Sequence, residues 1–430
     1  MNGKDLASLL ATATCALLGT SSPARAEGEK PWSLDTALLL YKESDSRVQD
    51  VSAAIGATRR FADDRVLGLN LTADTLTGAS PSGAIALDRP QTFTSPSGKA
   101  TYTTVGGRIP LDDTFKDTRF AGSASWTQPM GRLYTVSGGL SASYEYDYRH
   151  FGANASLSRD FDRRNRTVSL SAAWSKDDID PVGGAPLPLS QMLDVGATGN
   201  KAGSKSKDVL DAVLSVAQVV GHDTVVRFNY AYSRSSGYLN DPYKILSVVD
   251  PVTGDTSTRT PAATGGPDGV YVFESRPDSR TKQSFYGEVK HDFDGRVLTA
   301  SYRYMSDDWG IGSHTVDARF RWPLGGGYVE PHARWYTQTA ADFYRVSLVR
   351  GQALPQYASA DFRLGEFDAV TLGLKYGHPL ASGNEWSVRL EGYQQTGSVP
   401  SGQLIGNQAR RDVTPDLTAV FLQFGYRFGL

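Results

Sequence analysis

The end of the chain reads as a β-strand with one apolar face. Every second residue from Val420 to Leu430 is apolar, whereas the positions between them include Gln423, Arg427 and two glycines. Because successive side chains of a strand point to opposite faces, the second face carries a charge and two glycines. Such a strand does not suit the core of a soluble protein. It suits a transmembrane barrel, where one face contacts lipid and the other lines the lumen.

The same residues resemble the C-terminal assembly signal of Gram-negative outer-membrane barrels. That signal combines a polar residue, a glycine and two hydrophobic residues, which are matched here by Gln423, Gly425, Phe428 and Leu430. The last residue is usually Phe, and Leu430 departs from this while keeping the position hydrophobic. The resemblance implies a Gram-negative outer membrane as the location, with outer-membrane lipid and the barrel assembly machinery as partners.

The N-terminus predicts a secretory signal peptide covering residues 1–26. Lys4 precedes a run of Leu, Ala and Thr between Leu6 and Leu18, and Ala24-Arg25-Ala26 offers a cleavage site. The apolar run is too short to cross a membrane as a helix. We expect residues 27–430 to form a single outer-membrane β-barrel domain.

The amino-acid composition excludes several classes of function. Cys15 lies in the predicted leader and is the only cysteine, so the mature chain has no disulfide, thiolate metal site or cysteine nucleophile. A formal net charge of -2 gives no general attraction to nucleic acid. The 44 glycines and 21 tyrosines suit a barrel, in which only alternate side chains face lipid.

Alternation with period two recurs along the chain and predicts an all-β fold. Short turns alternate with long segments, which in outer-membrane barrels face the periplasm and the outside respectively. The long segments fall near 75–116, 177–207, 235–280, 337–366 and 395–415. Tight outer hairpins are added near Ser44, Tyr148 and Asp308. The prediction is a transmembrane antiparallel up-and-down β-barrel of about 16 strands with long extracellular loops.

Several loop stretches resemble a bacterial secreted family that is catalogued only as a domain of unknown function. They include Gly237 to Tyr243, Arg276-Pro277-Asp278, Asp307-Asp308-Trp309 and Ala360 to Leu364. The resemblance covers nearly the whole mature chain and implies an outer-membrane barrel. It brings no activity and no functional residues. We expect these stretches to pack a structured cap at the outer rim.

A row of basic residues is the first candidate for function. Arginines occupy three consecutive predicted strands between lipid-facing residues, so their side chains should point into the lumen. The row comprises Arg303, Arg319, Arg321 and Arg334, with Asp317, Glu330 and Glu288 as acidic partners. These charges would either produce a field across a channel constriction or form ion pairs that hold a plug.

His314 is the best enzymatic candidate, because it lies between Ser313 and Thr315 and close to Asp307 and Asp308. A serine, a histidine and an acid at the outer rim could attack esters or peptide bonds. However, adjacent strand residues point to opposite faces, so Ser313 cannot serve His314 without a bulge. We therefore expect no enzyme and no catalytic residue.

Two acidic clusters could offer oxygen ligands to calcium, Asp112-Asp113 and the group Asp177, Asp178 and Asp180. Clusters of this kind are more often solvated loop tips, and neither has the spacing of a known loop site. The histidines are scattered, and no glycine-rich phosphate loop is present. We expect no metal site and no cofactor.

Three functional hypotheses remain. The first is a porin-like passive channel for small hydrophilic solutes. The second is a closed scaffold barrel that binds a periplasmic or surface protein, and the third is a surface hydrolase. Loop placement separates the first two, because a lumen crossed by residues 75–116 or 235–280 cannot conduct freely.

Overall fold

The computed structural model describes residues 32–45, 47–95, 98–197, 199–257 and 270–430. The predicted signal peptide, residues 1–26, lies outside the described residues. The described chain is almost entirely strand and loop, with helices limited to short 3-10 turns. None of the described helices is long and apolar enough to cross a membrane.

The described residues form 23 strands, numbered here in chain order. The long strands are β1 (Trp32–Glu43), β2 (Gln49–Arg60), β3 (Val66–Pro81), β6 (Leu111–Met130), β7 (Tyr134–Tyr144), β8 (Tyr148–Phe161), β9 (Arg166–Ile179), β12 (Lys205–Val220), β13 (Thr224–Gly237), β16 (Ser279–Phe293), β17 (Arg296–Asp307), β18 (Gly312–Leu324), β19 (Gly327–Gln338), β21 (Glu366–Pro379), β22 (Glu385–Ser398) and β23 (Leu417–Gly429). The short ones are β4 (Gln91–Thr94), β5 (Thr101–Thr104), β10 (Ala185–Pro186), β11 (Lys201–Ala202), β14 (Ile245–Val249), β15 (Tyr271–Phe273) and β20 (Leu348–Val349).

The long strands form one closed barrel, in which each strand pairs antiparallel with its neighbours in the chain. The first strand, β1, also pairs with the last strand, β23. At this seam the Trp32 amide donates to the Leu430 carbonyl at 3.3 Å, and the Leu430 amide donates to the Trp32 carbonyl at 2.9 Å. The prediction of an antiparallel up-and-down barrel of 16 strands is confirmed.

Strand β21 shows how the alternation is used. Val370, Leu372 and Leu374 are 44%, 62% and 52% exposed, whereas Ala369, just before Val370, is buried. Large apolar side chains exposed at alternate positions suit contact with lipid. The last strand behaves in the same way, and its inward-facing Arg427 pairs with Asp35 of β1 at 2.5 Å.

The two ends of the barrel differ, as the sequence predicted. At one end the strands are joined by short turns, such as Asp294-Gly295 between β16 and β17. Both of these residues have positive φ, 54° and 85°, which a tight hairpin turn requires. At the other end β3 and β6 extend further than predicted, so their connection is 82–110 rather than 75–116. Their extension is paired across a register shift between Gly78 and Ser80.

The long connections fold together into one structure, which we call the cap. It consists of the described parts of residues 82–110, 180–204, 238–278, 339–365 and 399–416. Within it, β14 pairs with β15 and also, in parallel, with β20 of a different connection. One apolar core of the cap contains Ile85, Leu87, Val249, Phe343 and Leu364, all buried. Burial of such side chains contributes about 1.5–3 kcal/mol each, so the cap is a folded layer.

Candidate functional site in the barrel lumen

The predicted basic row lies on the inner face of three neighbouring strands. β17 carries Arg303, β18 carries Arg319 and Arg321, and β19 carries Arg334. The register places Asp317 opposite Arg334 and Arg319 opposite His332. Period-two alternation therefore puts these charged groups on one surface, while Val316 and Trp335 face outward and are exposed.

Asp317 is the centre of this group. The Arg334 Nε donates to its Oδ2 at 2.8 Å, and the His332 Nε2 lies 2.9 Å from the same oxygen. The Arg319 Nε lies 3.7 Å from Asp317 Oδ1. Three cationic or polar donors thus converge on one carboxylate, and its charge is compensated within the wall.

His332 extends the group to the next strands. Its Nδ1 lies 2.9 Å from the Glu391 Oε1 on β22, although β21 runs between the two strands. The intervening position is Gly373, where an added Cβ would come within 2.5 Å of the Glu391 side chain. A glycine at this position therefore leaves room for Glu391 to reach His332. Bonding to two carboxylates requires hydrogens on both ring nitrogens, which only the imidazolium has.

Arg389 completes the network, which we call the charged wall. Its guanidinium bonds Glu391 at 2.9 Å and Glu330 at 3.3 Å, and the Arg321 Nε bonds Glu330 at 2.9 Å. The sequence analysis missed His332, Arg389 and Glu391. The usable signal was their alternation with lipid-facing residues such as the exposed Leu390.

Two residues of the predicted set lie outside this network. Arg303 faces the lumen, but its hydrogen bond is to the Ser284 hydroxyl at 3.5 Å. Glu288 lies 3.6 Å from Arg227 and accepts a hydrogen bond from Tyr286 at 2.6 Å. It does not serve as a partner for the arginine row.

The arginines of the charged wall are more exposed to the lumen than its carboxylates. The side chains of Arg319, Arg321 and Arg334 are 31%, 38% and 46% exposed. Asp317 and Glu330 side chains are only 12% and 11% exposed. The surface that faces the lumen therefore consists mainly of guanidinium groups, although the wall contains both signs of charge.

The middle of the facing wall carries small, uncharged side chains, with charged residues such as Arg119 and Asp177 near its long-loop end and Asp160 near its short-turn end. In the barrel order, β7 is eight places from β19 in either direction, so β6 to β9 lie across the lumen from the charged wall. Their inward residues include Ser123, Ser125, Ser137, Gly139, Ser141, Asn154, Ser156, Ser171 and Ala173. The Ser137 and Ser156 hydroxyls are 2.5 Å apart, and those of Ser158 and Ser169 are 2.8 Å apart. Because these side chains are short and bond each other, they do not reach across the lumen to the arginines.

The cap contains a second group of charges, the cap network. Arg276 contacts Glu274 at 2.6 Å and Asp361 at 2.7 Å, and Arg363 contacts Asp241 at 2.7 Å. Burial raises the pKa of Glu274 to about 7, although Arg276 opposes this shift. The pKa of Asp361 lies well below its usual range, because Arg363 and Arg276 outweigh the effect of its burial.

Lys244 anchors the same network to the barrel rim. It is buried, and its ammonium group donates to the Pro81 carbonyl and to the Ser80 hydroxyl at the end of β3. Burial lowers the pKa of this amine. The Ile85 amide, in the connection after β3, donates to the Ser247 hydroxyl at 3.1 Å. Connections that leave distant parts of the rim therefore meet over the lumen.

The other two candidate sites from the sequence, around His314 and around Asp177, form hydrogen bonds within the protein. The His314 Nδ1 is bonded to the Tyr302 hydroxyl at 2.7 Å, and its ring lies against Tyr304. Ser313 is buried on the opposite, inward face. The Asp177 carboxylate is bonded by Tyr148 at 2.5 Å and His150 at 2.7 Å. At the second place the His150 Nε2 also lies 3.3 Å from the Ser141 hydroxyl, so Ser141, His150 and Asp177 form a chain of contacts on the inner wall.

One group of carboxylates could bridge a cation, and the sequence analysis did not identify it. Oxygens of Asp117, Glu145 and Asp147 lie within 4.8 Å of one another at the long-loop end. Tyr243 of the cap donates a hydrogen bond to Asp147. Carboxylate oxygens are the ligands that calcium prefers.

The predicted assembly signal lies along β23. Gln423 and Gly425 are on the inner face, opposite Leu39 and Ala37 of β1. Phe428 packs beside Tyr426 with ring centroids 5.5 Å apart, and Leu430 is 62% exposed. The two hydrophobic positions of the signal therefore share the outward face, at the short-turn end of the barrel.

Comparison with known proteins gives a family and a set of similar folds. A family described as "Protein of unknown function (DUF3570)" matches residues 7–428. No curated protein sequence matches the chain. Among solved structures, CdiB from Acinetobacter baumannii has 10% identity and a TM-score of 0.44, covering 93% of this chain and 60% of that chain. The siderophore receptor PirA from Acinetobacter baumannii has 10% identity and a TM-score of 0.42, covering 87% and 54%. The outer membrane protein opdK from Pseudomonas aeruginosa has 9% identity and a TM-score of 0.38, covering 92% and 98%. The chain thus spans less than two thirds of the first two proteins.

Proposed function

The chain belongs to the DUF3570 family, whose function is unknown, and we propose that it is a porin-like channel for small hydrophilic solutes in a Gram-negative outer membrane. One observation carries the proposal. The guanidinium groups of Arg319, Arg321 and Arg334 are exposed on one side of the lumen and face a wall of serine and glycine. Charges that line a lumen with low-dielectric walls produce a field across it. This arrangement favours anions and zwitterions over cations of equal size.

The size of the barrel supports passage. Barrels of 16 strands leave a lumen that wall side chains alone do not fill. The small residues of β6 to β9 add to this space. The cap covers the long-loop end, so we propose that the cap sets the size limit of the channel and the charged wall sets its preference for charge.

Selectivity can be tested with the triple variant R303S/R319S/R334S. Two of these arginines compensate Asp317, so their removal also exposes a negative charge in the lumen. We expect higher conductance in planar bilayers and a reversal potential shifted toward cations in a salt gradient. The matched control replaces Arg149 and Arg234, which are exposed on the outward face, with serine. A folded triple variant with unchanged selectivity would contradict the proposal.

A second candidate is a closed scaffold barrel that binds a periplasmic or surface protein. The cap core favours it, because connections from different sides of the rim pack together over the lumen. Replacing residues 87–107 with a short Gly-Ser linker would thin the cap without removing a barrel strand. Conductance gained in this variant supports a channel limited by the cap. A folded variant and a wild-type barrel that both fail to conduct would support the scaffold.

We also propose that β23 is read by the barrel assembly machinery. The support is the pair of outward hydrophobic positions, Phe428 and Leu430, at the short-turn end of the barrel. F428D should lower the amount of assembled barrel in the outer membrane. T418D, at the other end of the same strand's outward face, is the control. Equal assembly of both variants would contradict the role of Phe428.

A further inference from the structure

The outer surface of the barrel has an apolar groove of about 730 Å³ on β6, β7 and β8. Gly138 lies at its centre, with Trp126 as its register partner on β6 and Ala155 as its partner on β8. Ala124 and Ala153 flank it, while Met130 and Leu140 form raised edges. The groove therefore exists because small residues alternate with large ones on a face that elsewhere carries bulky side chains.

Arginines and aromatic rings border the groove at the short-turn end. The Arg65 guanidinium lies 5.6 Å from the Trp126 ring centroid and 5.6 Å from that of Phe61. The Arg159 guanidinium lies 5.3 Å from the ring centroid of Tyr134 and 4.6 Å from that of Phe161. Trp126 lines the groove, and Tyr134 is two residues before the lining residue Val136. The Arg65 and Arg159 guanidinium groups therefore lie on both sides of the short-turn end of the groove, over the faces of aromatic rings.

The groove fits within one leaflet. Its lining on β7 extends from Val136 to Leu140, which is about 14 Å along a strand and, with the tilt of about 40° that barrel strands have, about 10 Å along the membrane normal. Half of the hydrocarbon core of a bilayer is about 15 Å thick. Aromatic residues of barrels lie at the membrane interface. Arg65 and Arg159 are thus at headgroup depth, and the groove begins directly below them.

We propose that this groove binds one anionic glycerophospholipid from the leaflet at the short-turn end. The acyl chains occupy the groove over Gly138, and the phosphate lies between Arg65 and Arg159. Charge complementarity selects this occupant. Asp63 pairs with Arg65 at 2.5 Å, but the Arg65 side chain remains 42% exposed and Arg159 is exposed as well. If a second copy of this chain packed against the groove, its Arg65 and Arg159 would lie near those of the first copy. The repulsion between these like charges is unfavourable.

Native mass spectrometry of the full-length mature barrel can test this site. The protein is released from vesicles containing equal amounts of phosphatidylglycerol and phosphatidylethanolamine. We expect retained phosphatidylglycerol to exceed retained phosphatidylethanolamine by about tenfold, because each interfacial arginine favours anionic lipid. R65Q/R159Q should bring this ratio close to that of the vesicle. The control R149Q/R234Q changes outward-facing arginines at the other end and should keep the preference.

A second variant tests the groove itself. At Gly138 an added Cβ would lie 3.5 Å from the Asn154 carbonyl, an ordinary contact, so G138L should fold. It should reduce retention of both lipids by filling the groove. Equal retention of the two lipids by wild type, or an unchanged preference in R65Q/R159Q, would overturn the proposal. Unchanged retention in G138L would also overturn it, as would efficient disulfide dimerisation of A155C in membranes.

Discussion

The charged wall and the cap network use the same residue types in opposite surroundings. In the wall, Arg334 keeps 46% of its side chain exposed while it bonds Asp317. In the cap, Arg276 is 9% exposed and lies between Glu274 and Asp361, which are 1% and 0% exposed. Each network balances cations against carboxylates. Their difference lies in which of the charges still face water.

This difference separates two roles that the sequence left open. A buried pair is costly to break, because the remaining partner becomes an uncompensated charge. A pair that faces water contributes little to stability, since solvent screens it. Cap charges are therefore suited to holding two connections together. Wall charges are suited to acting on whatever enters the lumen.

The largest effect is expected from R276A. It leaves Glu274 and Asp361 buried without their shared cation, at a cost of about 3–5 kcal/mol. Hydrogen exchange of the cap backbone should become much faster, while exchange in the barrel strands changes little. R410A, on an exposed part of the same cap, is the control. Equal protection in R276A and wild type would contradict the role of the cap network.

A pH dependence of the cap is expected next. The pKa of Glu274 is raised by burial to about 7, above its unfolded value of about 4.5. Its contribution to stability is therefore fully present below about pH 4.5 and is lost as the pH rises through 7. Cap protection against hydrogen exchange, corrected for the intrinsic rate, should be higher at pH 5.5 than at pH 8. E274Q should flatten this difference, and E366Q should not.

Replacing the wall residue Arg334 should have a smaller effect on stability. R334S removes the exposed partner of the pair, and His332 and Arg319 still compensate Asp317, so we expect a loss of about 1 kcal/mol or less in the free energy of unfolding. The same variant should shift selectivity toward cations. Denaturant titration and reversal-potential measurements on one preparation would check both. If R334S lost as much free energy of unfolding as R276A, the charged wall would have a structural role.

The smallest effect is expected on the facing wall. S156A removes one hydroxyl that bonds Ser137, and water in the lumen can satisfy the remaining group. We expect a change of a few tenths of a kcal/mol in the free energy of unfolding and no change in selectivity. S156W at the same position should lower conductance by filling the open side. If a folded S156W variant kept its conductance, the conducting pathway would not pass along the facing wall.

The barrel could be predicted from sequence because its determinants are local. Alternation assigns each strand's faces, and the series of short turns and long segments fixes an even number of strands. This is why Arg319 and Arg334 could be placed on the inner face from their neighbours alone. The even count held although β3 and β6 proved longer than predicted.

The contacts between distant segments could not be predicted in the same way. Glu391 reaches His332 only because Gly373 lies between them in the register, which depends on pairings across three strands. Lys244 meets Pro81 from more than a hundred residues away. The cap was expected from stretches such as Arg276-Pro277-Asp278, but no periodicity indicates which stretch meets which.

The seam between β1 and β23 has a consequence for biosynthesis. β23 pairs with β1, and Trp32 and Leu430 bond each other, so the barrel cannot close until β23 has been made. Until then the first strand presents an unpaired edge, which is a site for aggregation. Contacts between chain ends are also the slowest to form, since loop closure must come first. The chain therefore has to be held unfolded across its whole length, and a product truncated by even one strand would retain two reactive edges.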